Sequence, residues 1–293
     1  MLAVTGITGH TGRYFINELV KNRYSGQLRC MVRTVDKAGC IAESGLNAEV
    51  VEGTLDSETD IRKLLSGADT VLHIANIRYS PEIVRIGKES GVKRFILVHT
   101  TGIYSHYKSA SGDYIKVENT IIPLMEELNI TILRPTMIFG DICDYNISRF
   151  IKLLDRLPVV PVISGGRSLI QPVNARDLAR AFYQVLYAEQ SIGKAYNLSG
   201  EKPISIRELY DLISGFLEKK RLIISFPIKL CVFAARAVKA ATFGKADYVE
   251  KVQRMGEDRS YSHESATYDF GYEPEPFEVG LKREVSEYIA AKR

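Results

Sequence analysis

The chain is short of cysteine, of dense basic runs and of long apolar stretches, and each shortage removes a class of function. Its four cysteines, Cys30, Cys40, Cys143 and Cys231, show neither CxxC nor metal-ligand spacing. That argues against a disulfide framework and a metal centre, and for reduced thiols in a cytoplasmic protein. The 39 lysines and arginines are balanced by 35 acidic residues and spread along the sequence, giving a net charge of +4. No run of the kind that tracks a nucleic-acid backbone is present, so no nucleic acid is expected as a partner. The start has no charged n-region or cleavage pattern, and its glycines come too early for a signal-peptide core. No internal repeat or low-complexity segment is found. At 45% hydrophobic and 25% charged residues over 293 positions, the chain has the composition of a folded globular protein. It is long enough for one large α/β unit or two smaller ones.

What is present is concentrated in the first twelve residues. An apolar run ending at Val4 breaks into Thr5-Gly6-Ile7-Thr8-Gly9-His10-Thr11-Gly12 and then into an amphipathic segment, the pattern of strand, tight turn and helix start. In a GxGxxG turn, Gly6 supplies positive φ, Gly9 lets the backbone approach a pyrophosphate, and Gly12 lets the helix lie against the strand. The free amides and positive dipole end of the helix opening near Thr11 then face the phosphates.

A helical spacing through Phe15, Ile16, Leu19 and Val20 leads to a second strand over Leu28 to Val32, which completes a βαβ unit. At its tip, where a carboxylate would hold the ribose 2′-hydroxyl of NAD, stands Arg33, followed by Asp36. Arginine suits the 2′-phosphate of NADP(H), and Asp36 leaves NAD(H) open. The alternation continues with strands at Ala48 to Val51, Thr70 to Ala75, Arg94 to His99 and Ile130 to Leu133. Helices are expected over Ser57 to Leu65, from Ser80-Pro81, an N-cap followed by proline at the first helical position, to Gly91, and from Tyr114 to Leu128 with a kink at Pro123. The polar stretch from Tyr104 to Asp113 reads as a loop at the carboxyl edge of the sheet.

Beyond Pro135 the elements shorten. Helices are expected at Ala175 to Tyr187 and Ser205 to Glu218, with a strand at Ala195 to Leu198 between them. The stretch from Ile228 to Phe243 interleaves apolar residues with Lys229, Arg236 and Lys239. It has too few consecutive apolar residues to span a bilayer, which leaves a packed helix, a lid, or an interfacial helix. The packed or lid form, without membrane binding, is the expectation.

Taken together these residues resemble the short-chain dehydrogenase/reductase superfamily, in its extended and atypical branches, which include nucleotide-sugar epimerases and NmrA-like or complex-I-associated proteins. Thr5 to Gly12 is similar to the TGxTGxxG turn, and Val32-Arg33 to the end of the second strand in NADP-binding members. His73-Ile74-Ala75-Asn76 resembles a cofactor contact, and Thr131 to Gly140 the segment that passes the nicotinamide. The resemblance implies a doubly wound parallel-sheet Rossmann fold over residues 1–135, with returning segments near 168–200. A smaller C-terminal substrate lobe would take up most of 136–293. It implies cofactor contacts at Gly6, Thr8, Gly9, His10, Thr11, Gly12, Arg33, Leu55, Ala75, Asn76, Pro135 and Met137, with NADP(H) favoured and NAD(H) allowed. The partner is a small molecule bearing a carbonyl or hydroxyl, and a homodimer is allowed for.

Two departures stand out. Thr54 replaces the usual aspartate after the third strand, with Asp56 as a substitute. The catalytic Tyr-x-x-x-Lys is displaced: aligning on Tyr114 puts Glu118 where lysine belongs, and the literal match, Tyr104 to Lys108, lies too close behind the fifth strand. Thr100 and Tyr114 are therefore the expected catalytic groups, acting as hydrogen-bond donors to a carbonyl. A cofactor-binding sensor or scaffold without turnover is the alternative.

Overall fold

The computed structural model describes residues 1–292, and Lys108, Ser109 and Ala110 through their backbone only. The strands are β1 (Leu2–Thr5), β2 (Leu28–Val32), β3 (Ala48–Glu52), β4 (Thr70–His73), β5 (Arg94–Val98), β6 (Ile130–Pro135), β7 (Ile138–Phe139), β8 (Val159–Ile163), β9 (Leu169–Ile170), β10 (Val173–Asn174), β11 (Ala195–Leu198), β12 (Ile204–Ser205) and β13 (Leu222–Phe226). The helices are α1 (His10–Lys21), α2 (Gly39–Ala42), α3 (Glu58–Leu65), α4 (Ser80–Glu89), α5 (Lys108–Ile121), α6 (Ile147–Arg156), α7 (Ala175–Leu186), α8 (Ile206–Phe216), α9 (Ile228–Ala241), α10 (Val249–Arg254), α11 (Glu264–Phe270) and α12 (Phe277–Lys292).

Seven strands form one parallel sheet in the order β11-β6-β5-β4-β1-β2-β3. Helices cover both faces, so the central strands are apolar on both sides rather than alternating; Ala3, Val4, Phe95, Ile96 and Leu97 are all fully buried. Phe15, Leu19, Leu178 and Phe182 from α1 and α7 pack on one face, and Ile61, Leu64, Ile83 and Ile86 from α3 and α4 on the other. Strand order reverses between β1 and β4, and the crevice beyond their carboxyl ends is where such sheets hold ligands. A third apolar cluster joins α6, α8 and α12 through Ile151, Leu154, Leu209, Ile213, Leu281 and Val285.

Three expected details differ. Ser80 opens α4 but is not its cap; it is fully buried, and its hydroxyl meets His99 Nε2 at 3.0 Å. The expected loop from Tyr104 to Asp113 is largely helical, because a 3-10 turn at Thr101–Tyr104 is followed by α5 from Lys108. Pro123 ends that helix rather than kinking it, since its missing N–H turns the chain into a 3-10 segment at Ile122–Leu124. Among the described residues no helix is long and apolar enough to cross a membrane.

Candidate functional site

A cleft of about 940 Å³ runs along the carboxyl edge of the sheet over the β1–β4 switch point. Its floor is the turn between β1 and α1. Gly6 has φ +73, and a side chain there would come within 2.8 Å of Ala75 N; a Cβ on Gly12 would lie 2.3 Å from Gly6 O. The turn is thus wound too tightly for any residue but glycine at these two positions. Gly9 caps α1 without any side-chain hydrogen bond, so the first amides of the helix are left for an anion. Thr8, His10 and Thr11 line the cleft with the three glycines, and Leu55, Ala75, Asn76 and Pro135 also line it. Met137 does not: it faces the adjoining chamber described below.

At the end next to β2, Arg33 and Lys37 line the cleft, exposed and without an ion-pair partner among the described residues. Arg13, the other cation near the turn, is directed elsewhere and lies 3.9 Å from Asp141. Asp56 lines the same end but is engaged by Tyr79 Oη at 2.8 Å and by Arg78 at 3.6 Å. Arg78 in turn stacks over the Tyr79 ring at 4.5 Å. Sequence reasoning missed Lys37, although a lysine four residues beyond Arg33 is the available signal: a 3-10 turn at Val35–Ala38 folds it back.

The other end of the cleft is built from β5 and α5. Thr100 follows β5 and accepts a hydrogen bond from Gly102 N at 3.0 Å, which leaves its hydroxyl proton free to donate. Tyr114, half-buried on α5, lines the cleft with it. One helical turn beyond Tyr114, in the lysine position, Glu118 is buried between His99 Nδ1 at 3.0 Å and the Arg134 guanidinium. Burial works to raise its pKa, but the hydrogen bonds from His99 and Arg134 outweigh this and hold the carboxyl below its usual range. Burial holds His99 below its usual pKa, so the neutral ring donates from Nδ1 to Glu118 and accepts at Nε2 from Ser80. Lys116 is exposed and paired with Asp113 at 3.1 Å. Tyr104 is turned away from the cleft, its hydroxyl bonded to Asn197 Oδ1 and Arg134 at 3.1 Å each. The side chain of Lys108, its sequence partner, lies outside the described residues.

Thr100 is also a wall of a second chamber of about 240 Å³, with Met137, Gln171, Arg254, Arg259 and Tyr261. The Nε atoms of both arginines are buried without a hydrogen-bond partner among the described residues. Burial, reinforced by repulsion from Arg254, lowers the Arg259 pKa. Two cations with orphan donors beside a cavity favour an anion. Glu257 between them is committed to the loop after β5, accepting from Ser105 and from the His106 amide at 2.8 Å each. Neither arginine carried a sequence signal, because α10 and the segment after it lie far along the chain from the glycine turn.

Behind the turn, His10 Nε2 lies 3.4 Å from Asp141, which also accepts from Tyr14 Oη at 2.9 Å. Asp144 lines the cleft, while its Oδ2 and the Oε1 of fully buried Glu284 lack partners among the described residues. Burial first, then the charge of Asp144, pushes the Glu284 carboxyl up to about 10. A proton on Glu284 gives these two facing carboxyl groups the hydrogen bond that both otherwise miss.

Residues 6–141 match the NAD(P)H-binding family. A Dictyostelium discoideum protein named NADH dehydrogenase [ubiquinone] 1 alpha subcomplex subunit 9, mitochondrial, is 26% identical over 230 residues, covering 72% of this chain and 62% of that protein. The chain thus spans less than two thirds of that relative's length. Among solved structures, the Citrobacter sp. triphenylmethane reductase complexed with NADP(H) is 20% identical with a TM-score of 0.75, covering 97% of this chain and 100% of that one. The UDP-glucuronic acid 4-epimerase from Bacillus cereus, in complex with UDP-glucuronic acid and NAD, is 16% identical with a TM-score of 0.75, covering 99% of each chain. At these identities the two structures establish a shared fold.

Proposed function

We propose that this chain, whose N-terminal part is an NAD(P)H-binding domain of the short-chain dehydrogenase/reductase type, is an NADP(H)-linked oxidoreductase or epimerase-like protein. Its substrate is a small carbonyl or hydroxyl compound carrying an acidic group. We read residues 1–135, with returning segments near 168–200, as the dinucleotide domain and most of 136–293 as the substrate lobe. The four free cysteines fit the reducing cytoplasm.

The observation that carries this reading is that Thr100, together with Asn146, walls both the dinucleotide cleft and the arginine chamber. A molecule anchored by Arg254 and Arg259 would present its uncharged end to Thr100 and Tyr114. The fit of the cofactor rests on the glycine turn, which a Cβ would fill, and on the unpaired cations Arg33 and Lys37. The bound dinucleotide supplies or accepts the hydride. Thr100 and Tyr114 hydrogen-bond the substrate oxygen, and their interaction strengthens as negative charge develops there. In the reducing direction the oxygen takes its proton from Tyr114, which is replenished from water. No lysine lies beside Tyr114 among the described residues, so the oxidising direction lacks the cation that would favour tyrosinate.

One observation favours a second reading, a cofactor-binding sensor or scaffold without turnover: Glu118, held by His99 and Arg134, occupies the place of the catalytic lysine. The test is NADPH oxidation by the purified protein with carbonyl acids and with their neutral analogues. Turnover of the acids alone supports the enzyme and its arginine chamber. Tight NADPH binding with no oxidation of any carbonyl in the panel supports the sensor.

A further inference from the structure

Eight of the eighteen large hydrophobic side chains exposed among the described residues fall between positions 222 and 248. Helix α9 lies in the middle of this stretch, and Ala235 is its one buried residue. Leu230, Phe233, Ala234, Ala237 and Ala241 recur at helical spacing, so they share one face. That face is open: Leu230 is 54% and Phe233 69% exposed, and Phe243, just past the helix end, is 95% exposed. The preceding strand β13 turns Leu222, Ile224 and Phe226 outward and leads through Pro227 straight into α9. Helix α9 lines neither the cleft nor the arginine chamber. It packs on α10, with Ile228 against Gly256 just past the end of that helix, and offers its apolar stripe outward.

Charge selects what covers that stripe. Residues 218–254 hold nine lysines and arginines against three acidic residues, whereas the chain as a whole carries only +4, so the rest is net acidic. Lys220, Lys229, Arg236 and Lys245 are exposed with no ion-pair partner among the described residues. At the start of α9 a cavity of about 590 Å³ is lined by Arg167, Lys229, Ser164 and Ser225. The helix opens there without a side-chain cap, leaving amide donors beside two cations. Singly protruding apolar side chains next to basic residues and an open basic cavity match the boundary between lipid headgroups and acyl chains. At fourteen residues, about 21 Å, α9 is too short to cross a bilayer of about 30 Å and would lie along its surface.

We propose that α9, with Phe243 and the outward side of β13, docks the protein on an anionic lipid surface. Leu230, Phe233 and Phe243 enter the headgroup boundary, while Lys229 and Arg236 pair with lipid phosphates. The chain contains no tryptophan, so Phe243→Trp introduces a single reporter. At physiological salt its emission should shift to the blue, and the protein should sediment with vesicles of phosphatidylcholine plus phosphatidylglycerol. Vesicles of phosphatidylcholine alone should leave it in the supernatant. The double change Lys229→Glu and Arg236→Glu should weaken that binding by about thirtyfold or more, at roughly 1 kcal/mol for each positive charge lost near the surface. Unchanged NADPH titration in the same variant would show that it is folded. Three results would overturn the proposal: wild-type protein that stays in the supernatant with both vesicle types, charge reversal without effect, or light scattering showing a dimer that Phe233→Ser dissolves.

Discussion

The two ends of the cleft are made differently. The β2 end relies on backbone geometry and unengaged charge: a turn that admits only glycine at two positions, bare helix amides, and two cations with no partner among the described residues. The β5 end relies on charge already spent. Glu118, His99 and Arg134 satisfy one another, Thr100 already accepts a bond from the backbone, and Glu118 stands one turn beyond Tyr114 in the place of a lysine. A site with unspent donors gains most when a ligand arrives, whereas a closed network gains little. The contrast therefore assigns affinity to the first end and only modest chemistry to the second.

The contrast breaks most sharply at the turn. A Cβ on Gly9 would meet Gly6 O at 3.1 Å, and the branches of valine would occupy the anion's place. Gly9→Val should weaken dinucleotide binding by about a hundredfold or more while leaving the melting temperature within a few degrees. Wild-type affinity in a calorimetric titration would remove the turn from the site. At the other end, Tyr114→Phe should lower turnover by about ten- to a thousandfold without altering NADPH affinity, because its hydrogen bond counts mainly in the transition state. Full activity retained by Thr100→Val with Tyr114→Phe would move the chemistry elsewhere. Arg33→Ala should weaken NADPH binding by about ten- to a hundredfold, the worth of one charge-assisted contact of roughly 1.5 to 3 kcal/mol. Lys37→Ala should weaken it less, and neither should affect NADH.

The smallest effect concerns stability rather than binding. The folded pKa of Glu284 lies above its unfolded value near 4.5, so its proton is kept on folding and released on unfolding. Its stabilising contribution is complete below that unfolded value and fades as pH rises toward 10. Glu284→Gln, which stays neutral in both states, should therefore raise stability at pH 8 and change it little at pH 4.5. Urea melts at both values check this, and equal shifts at the two would contradict a protonated Glu284.

What could be read in the sequence follows the same division. The β2 end was legible because its parts are local: three glycines, the strand before them and Arg33 within about thirty residues. The central sheet was legible for a related reason, as strands buried on both faces read as unbroken apolar runs. The second chamber was not, since Arg254 and Arg259 meet Thr100 only through tertiary packing. Helix α12 was missed because Glu284 interrupts its buried face between Leu281 and Val285, and a charge at that position hides the apolar period. Ser80 looked like a cap from local spacing, yet the buried nitrogen of His99 takes its hydroxyl. The stretch at 228–243 was recognised as amphipathic and expected to pack; which way its face turns is decided by neighbours far along the chain.

The central claim is that the cleft holds a dinucleotide with its 2′-phosphate at Arg33 and Lys37. Calorimetric titration of the wild-type protein with NADPH and with NADH tests it most directly. The account predicts NADPH binding tighter by about tenfold or more, with the gap narrowing as salt rises and screens the two exposed cations. Equal affinities, or tighter NADH, would contradict it.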